Sequence, residues 1–196
     1  MWLWRKLQRI NRTFMSNLLS QNHFELFGFS SSYDIDLLKL SEIYRELQKT
    51  VHPDRFANAS DSEKLLSAQK ATRVNEAYSC LKSPIQRAQY LLEINNIKYN
   101  NEAETIQDPE FLMEQMELRE ALANINGSND ALASLDIMLG DIGKRINRSQ
   151  NQLSDLFIEL TENNLLRAKK IIQEMQFLIK LQHEAEDLEE DLINAQ

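Results

Sequence analysis

The sequence predicts an all-α protein in two parts, a helical hairpin with short flanking helices followed by a C-terminal three-helix bundle. Only 4 Gly and 3 Pro occur among 196 residues, too few chain-breakers for the turns of an all-β fold. Apolar residues recur at steps of three and four along most of the chain, the period of an amphipathic helix. A polar connector bracketed by Asn95-Asn96 and Asn100-Asn101 marks a boundary between two segments of different charge. With 42% apolar and 27% charged residues, the composition is that of a packed protein.

In the first part, Asn22 is placed to cap a short apolar helix, His23 to Phe27, which Gly28 ends. After the Ser30–Ser32 loop, Asp34 and Asp36 are candidate caps. From there Leu37, Leu40, Tyr44, Leu47 and Val51 step by 3, 4, 3 and 4, one stripe of a second helix whose other faces carry Lys39, Glu42, Arg45, Glu46 and Lys49. Pro53 stops it, because its ring disfavours helical geometry at His52 and it offers no N–H. A third helix is expected from about Glu63 to Leu81, with Ala71, Val74, Tyr78 and Leu81 on one stripe. Ser83-Pro84 restarts the chain into a fourth, marked by Ala88, Leu91 and Leu92.

The second part opens on Asp108-Pro109, a cap followed by proline at the first helical position. That helix should run to Asn126-Gly127. A long helix is expected from Ser128 to about Glu162, weakened by Gly140 and Gly143 at roughly 1 kcal/mol each relative to Ala. Asn163-Asn164 should break it, and a last helix should run from Leu165 to about Ile193. The expected division is thus an extension (1–21), a hairpin unit (22–96), a linker (97–107) and a bundle (108–196).

Charge and cysteine content exclude several functions. The net charge of −8 is uneven. Residues 1–14 carry Arg5, Lys6, Arg9 and Arg12 with no acid, residues 15–96 nearly balance, and from 97 onward 9 basic side chains face 20 acidic ones. An acidic half repels phosphate backbones, so nucleic acid is not an expected partner. A lone cysteine, Cys80, excludes an internal disulfide and fits a reducing compartment. No apolar run approaches the roughly 20 residues that cross a bilayer, so no membrane partner is expected. Residues 1–14 lack the apolar core of a secretory signal. They read as an extended start or as a short targeting or membrane-surface segment.

The tripeptide His52-Pro53-Asp54, followed by Arg55-Phe56, lies between the two hairpin helices. Pro53 stiffens the loop, Asp54 offers a carboxylate that can take a bidentate arginine, and His52 can donate and accept hydrogen bonds near neutral pH. Arg45 and Lys49, spaced i,i+4, add an attractive patch for an acidic partner. The short first helix, the second helix ending at this tripeptide and the third carrying Asn75, Ala77 and Tyr78 together resemble a J domain. That resemblance implies stimulation of the ATPase of a DnaK-type chaperone.

Residues 108–120, Asp-Pro-Glu-Phe-Leu-Met-Glu-Gln-Met-Glu-Leu-Arg-Glu, narrow the resemblance. The stretch is similar to the one that opens the C-terminal domain of the HscB family, the co-chaperones of iron–sulfur cluster assembly. Asp54-Arg55-Phe56, the run Arg87 to Leu92 and Phe177-Leu178-Ile179-Lys180-Leu181 agree with that family. Membership implies a J domain beside a three-helix bundle that binds the scaffold protein IscU, with HscA as the chaperone partner. The implied chaperone-binding residues are His52, Pro53, Asp54, Arg45, Lys49 and Arg55. The implied scaffold-binding residues are Leu112, Met113, Met116, Glu117, Arg119, Glu120 and Phe177. Asn124 departs from the acidic residue expected there, which puts one rim contact in doubt. Some eukaryotic relatives carry an N-terminal CxxC module that this sequence lacks, so a bacterial-type cytoplasmic protein is expected.

The helical wheel supports a binding face without the family. Phe111, Leu118, Leu122 and Ile125 fall within roughly 60° of one another, enough to face a bundle core. Leu112, Met113, Met116 and Ala123 fall on a second face roughly 140° away. That face either fills a broad core or inter-domain seam, or waits for a partner. Methionine suits an adaptable surface, and Glu117, Arg119 and Glu120 can rim it.

Other functions are less well supported. A general J-domain co-chaperone for unfolded clients would be expected to carry a Gly/Phe-rich linker or a Cys-rich zinc module, and neither occurs. His23, His52 and His183 are scattered, and no HExxH, GxSxG or P-loop pattern exists. Catalysis by the chain itself, a metal site and a cofactor are therefore not expected; Cys80 alone does not make a zinc or cluster site.

Overall fold

The computed structural model describes residues 19–51, 60–98, 109–125 and 130–194. All regular structure among them is helical. The chain divides into two compact units, the first ending at Arg87 and the second starting at Ala88.

In the first unit Asn22 caps α1 (His23–Leu26) through a reciprocal box. Its side chain accepts the Glu25 N–H at 2.8 Å, while the Glu25 carboxylate accepts the Asn22 N–H at 3.0 Å. One helical turn does not persist by itself; burial of Phe24, Leu26 and Phe27 holds it. Gly28, at φ +70°, reverses the chain in a conformation that costs glycine little. The Asp36 side chain accepts the Lys39 N–H at 3.0 Å and starts α2 (Leu37–Val51), which buries Leu40, Leu47 and Val51.

Ser60 and Glu63 form a second capping box at the start of α3 (Asp61–Lys82), two residues ahead of the expected start. The helix buries Val74, Ala77 and Leu81. It runs antiparallel to α2, since Ser67 Oγ donates to the Val51 carbonyl at 2.9 Å while Ser41 and Tyr78 meet at the other end. Pro84 opens α4 (Pro84–Ile94), which buries Ala88, Leu91 and Leu92 and is followed by Asn96, a non-glycine at φ 61°. Arg87 is buried, donating to the Leu81 carbonyl at 2.8 Å with its guanidinium 5.0 Å from the Tyr33 ring. Burial pushes the Tyr33 hydroxyl up to about 12.

The second unit takes in α4 from Ala88 onward together with α5 (Pro109–Ile125), α6 (Ala131–Leu156) and α7 (Glu162–Asn194). Along α6 the buried positions Leu135, Ile142, Ile146, Ser149, Leu153 and Leu156 follow helical spacing. Leu165, Ala168, Ile172, Met175 and Leu178 do the same along α7. The two helices therefore share a long seam, and α5 packs against both.

The structure corrects the expected break between α6 and α7. It falls at 157–161, ahead of Asn163-Asn164. Thr161 is the better cap: its Oγ1 accepts the Asn164 N–H at 3.2 Å, and its carbonyl accepts the Leu165 N–H at 2.9 Å. Asn164 is thereby the third residue of α7, and its Nδ2 donates to the Glu159 carbonyl at 2.9 Å. Gly140 and Gly143 do not interrupt α6, because burial along the α7 seam outweighs their cost. Asp108, Asn126, Gly127 and Ser128, read as start and stop signals, lie outside the described residues.

Candidate functional site

The exposed face of α2 carries Arg45 and Lys49. Lys49 pairs with Glu46 at 2.8 Å, both side chains about 70% exposed (70% and 73%). Such an exposed pair contributes under about 1 kcal/mol, so an acidic partner can compete for the ammonium. His52, Pro53, Asp54 and Arg55, and with them Phe56, lie outside the described residues.

What the structure describes is the packing of α2 against α3, the two helices that flank that tripeptide in sequence. Tyr44 stacks on Tyr78, ring centroids 3.9 Å apart at 13°, and its hydroxyl donates to Asn75 Oδ1 at 3.1 Å. Gln48 Nε2 donates to the Tyr44 hydroxyl at 3.0 Å and also bonds Asn75. This polar clamp fixes how α2 sits against α3, and with it the helix face from which Arg45 and Lys49 project. It also gives Asn75 and Tyr78 a physical role in the hairpin.

In the second unit, α5 has two apolar faces. Phe111 and Leu122 are each 8% exposed and point into the bundle, whereas Leu112 is 41% and Met113 and Met116 are each 64% exposed. Glu117, Arg119 and Glu120 are exposed beside them, as are Ala123 and Asn124. Of the wheel's core stripe, Phe111 and Leu122 are buried and Leu118 and Ile125 half-buried, while the second stripe is exposed. Six of the seven residues implied as scaffold-binding share one exposed helix surface.

Phe177 does not share that surface. At 7% exposure it is a core side chain, with its ring edge-on to Phe111 at 5.9 Å and 88°. It still reaches the face indirectly, because the Arg119 guanidinium lies 5.7 Å from its ring centroid. Arg119 also approaches Glu184 of α7 at 4.0 Å. The sequence reading did not single out Glu184, although its seven-residue step from Phe177 puts both on one side of α7.

On the other flank of α5, a groove of about 300 Å³ is lined by Glu114, Leu118, Arg145, Arg148 and Glu174, among others. Its charges are mixed, Arg145 being paired with Glu114. Among the described residues no helix is long and apolar enough to cross a membrane.

The comparisons with known proteins agree with this arrangement. Residues 107–186 match the family model described as the HscB C-terminal oligomerisation domain. A co-chaperone protein HscB homolog from Shewanella woodyi is 42% identical over 174 residues, covering 87% of this chain and 98% of its own length. One from Vibrio vulnificus is 43% identical over 171 residues, again 87% of this chain and 98% of its own. Among solved structures, chaperone HscB from Vibrio cholerae superposes with a TM-score of 0.76 at 38% identity, over 88% of this chain and 99% of that one. Human co-chaperone protein HscB gives 0.77 at 28% identity, over 85% and 81%. The fold is accordingly an N-terminal J domain with a C-terminal helical bundle. On sequence and on structure alike, this chain belongs to the HscB family.

Proposed function

We propose that the chain is a co-chaperone of iron–sulfur cluster assembly that binds an IscU-like scaffold protein, delivers it to an HscA-like DnaK-type chaperone and stimulates that chaperone's ATPase. The observation that carries this reading is the second apolar face of α5. Leu112, Met113 and Met116 stay in water while Phe111 and Leu122, on the same helix, form core. An apolar patch rimmed by Glu117, Arg119 and Glu120 fits a partner surface better than it fits solvent.

The two surfaces act together. The α5 face holds the scaffold, and His52, Pro53 and Asp54, flanked by Arg45, Lys49 and Arg55, engage the chaperone. Tethering both on one chain raises the effective concentration of the scaffold at the chaperone. The ATP chemistry belongs to the chaperone. This chain contributes binding energy that favours the chaperone's hydrolysis-competent state, so it is an activator and not itself an enzyme. The bacterial relatives and the lone cysteine support a cytoplasmic setting.

The test is a pull-down with the tagged full-length chain from a bacterial extract containing both partners. A cluster scaffold and a DnaK-type chaperone should both be recovered. Recovery of the chaperone alone, with suppression of aggregation of unrelated denatured proteins, would contradict the reading in favour of a general co-chaperone.

A further inference from the structure

Arg119 is the one cation on the exposed α5 face, and α7 holds it from two sides. Its guanidinium lies 5.7 Å from the Phe177 centroid and 4.0 Å from Glu184 Oε1. A free arginine samples many rotamers and loses that freedom when a partner binds it. An arginine near an aromatic ring and within ion-pair range of a carboxylate has fewer favoured rotamers to choose from. The guanidinium carries five N–H donors on a side chain 58% exposed, so donors remain for a carboxylate or carbonyl of the partner.

We infer that Glu184 and Phe177 are positioning residues that pre-order Arg119 for the scaffold protein, so that the docking face is built by α5 and α7 jointly. The inference rests on the reading of the α5 face as the scaffold site. It gives Phe177 a role that its burial permits, acting through Arg119. It also adds Glu184, which the sequence reading did not select. The pair is half exposed, at 58% and 51%, so Glu184 contributes little to fold stability and its effect should appear in binding.

A double-mutant cycle on the full-length chain, titrated with the purified scaffold protein by calorimetry, decides the matter. Ordering one arginine side chain corresponds to about a two- to tenfold change in Kd. Glu184→Gln should weaken binding by about that factor with an unchanged melting midpoint. In an Arg119→Ala background the same substitution should have no further effect. Wild-type or tighter binding by Glu184→Gln, or an equal loss in both backgrounds, overturns the positioning role. Met113→Ala combined with Met116→Ala serves as the control for the site itself. If that variant binds normally, the α5 reading fails; if it binds weakly while Glu184→Gln binds normally, only the positioning inference fails.

Discussion

Replacing Leu112 and Met116 together by Ala separates a docking face from a core face. Their exposed fractions, 41% and 64%, amount to about one full apolar side chain left in water in the free protein. Fully burying a Leu or Met contributes about 1.5–3 kcal/mol. Losing that burial in a complex should therefore cost about 1.5–3 kcal/mol, a Kd raised about ten- to hundredfold. The free protein loses much less. Substitutions at exposed helix positions typically change stability by about 0.5 kcal/mol each, and Ala is the strongest helix former. Leu122→Ala, at a position 8% exposed, should by contrast cost about 2–5 kcal/mol of stability. Scaffold binding followed by calorimetry and unfolding followed by far-UV circular dichroism read both effects. The reasoning is refuted if the double variant binds at wild-type strength and melts early, as Leu122→Ala should.

Gly140→Ala should stabilise the second unit by about 0.5–1 kcal/mol, because a Cβ there meets nothing within 4 Å and α6 is continuous through it; a lower urea midpoint would refute this. His23 is held at a pKa of about 4, below its ordinary 6.5, by burial first and by the Arg73 charge second. The unfolded chain then takes up this proton before the folded one does. The His23 contribution to stability is intact above pH 6.5 and falls as the pH drops from 6.5 to 4. Urea titrations across that window should show the wild type losing more stability than His23→Gln, and equal slopes would contradict the assignment.

Most of the helical architecture is legible in the sequence because local signals agree with packing. Asn22 caps α1 as its residue type suggests, and Leu40, Leu47 and Val51 of the α2 stripe and Val74 and Leu81 of the α3 stripe are buried, while Leu37 at the start of α2 is exposed. The α5 face is legible because one helix cannot turn Phe111 and Met116 to the same core. The α6–α7 break is not legible, because Asn163-Asn164 suggests a turn on composition alone. The deciding feature, Thr161 accepting the Asn164 N–H, depends on which residue the backbone leaves at the cap. Phe177 and Glu184 illustrate the same limit. The family resemblance marked Phe177 as a contact, but its burial and the approach of Arg119 follow only from how α5 lies against α7.

The account depends on one chain carrying two separable docking functions, and Asp54→Asn tests this most directly. The substitution removes the acceptor charge of the tripeptide and leaves α5 untouched. In a steady-state assay of a DnaK-type chaperone with its scaffold client, the variant should give no stimulation of ATP hydrolysis while binding the scaffold protein with wild-type affinity. Full stimulation by Asp54→Asn, or loss of scaffold binding together with stimulation, contradicts the account.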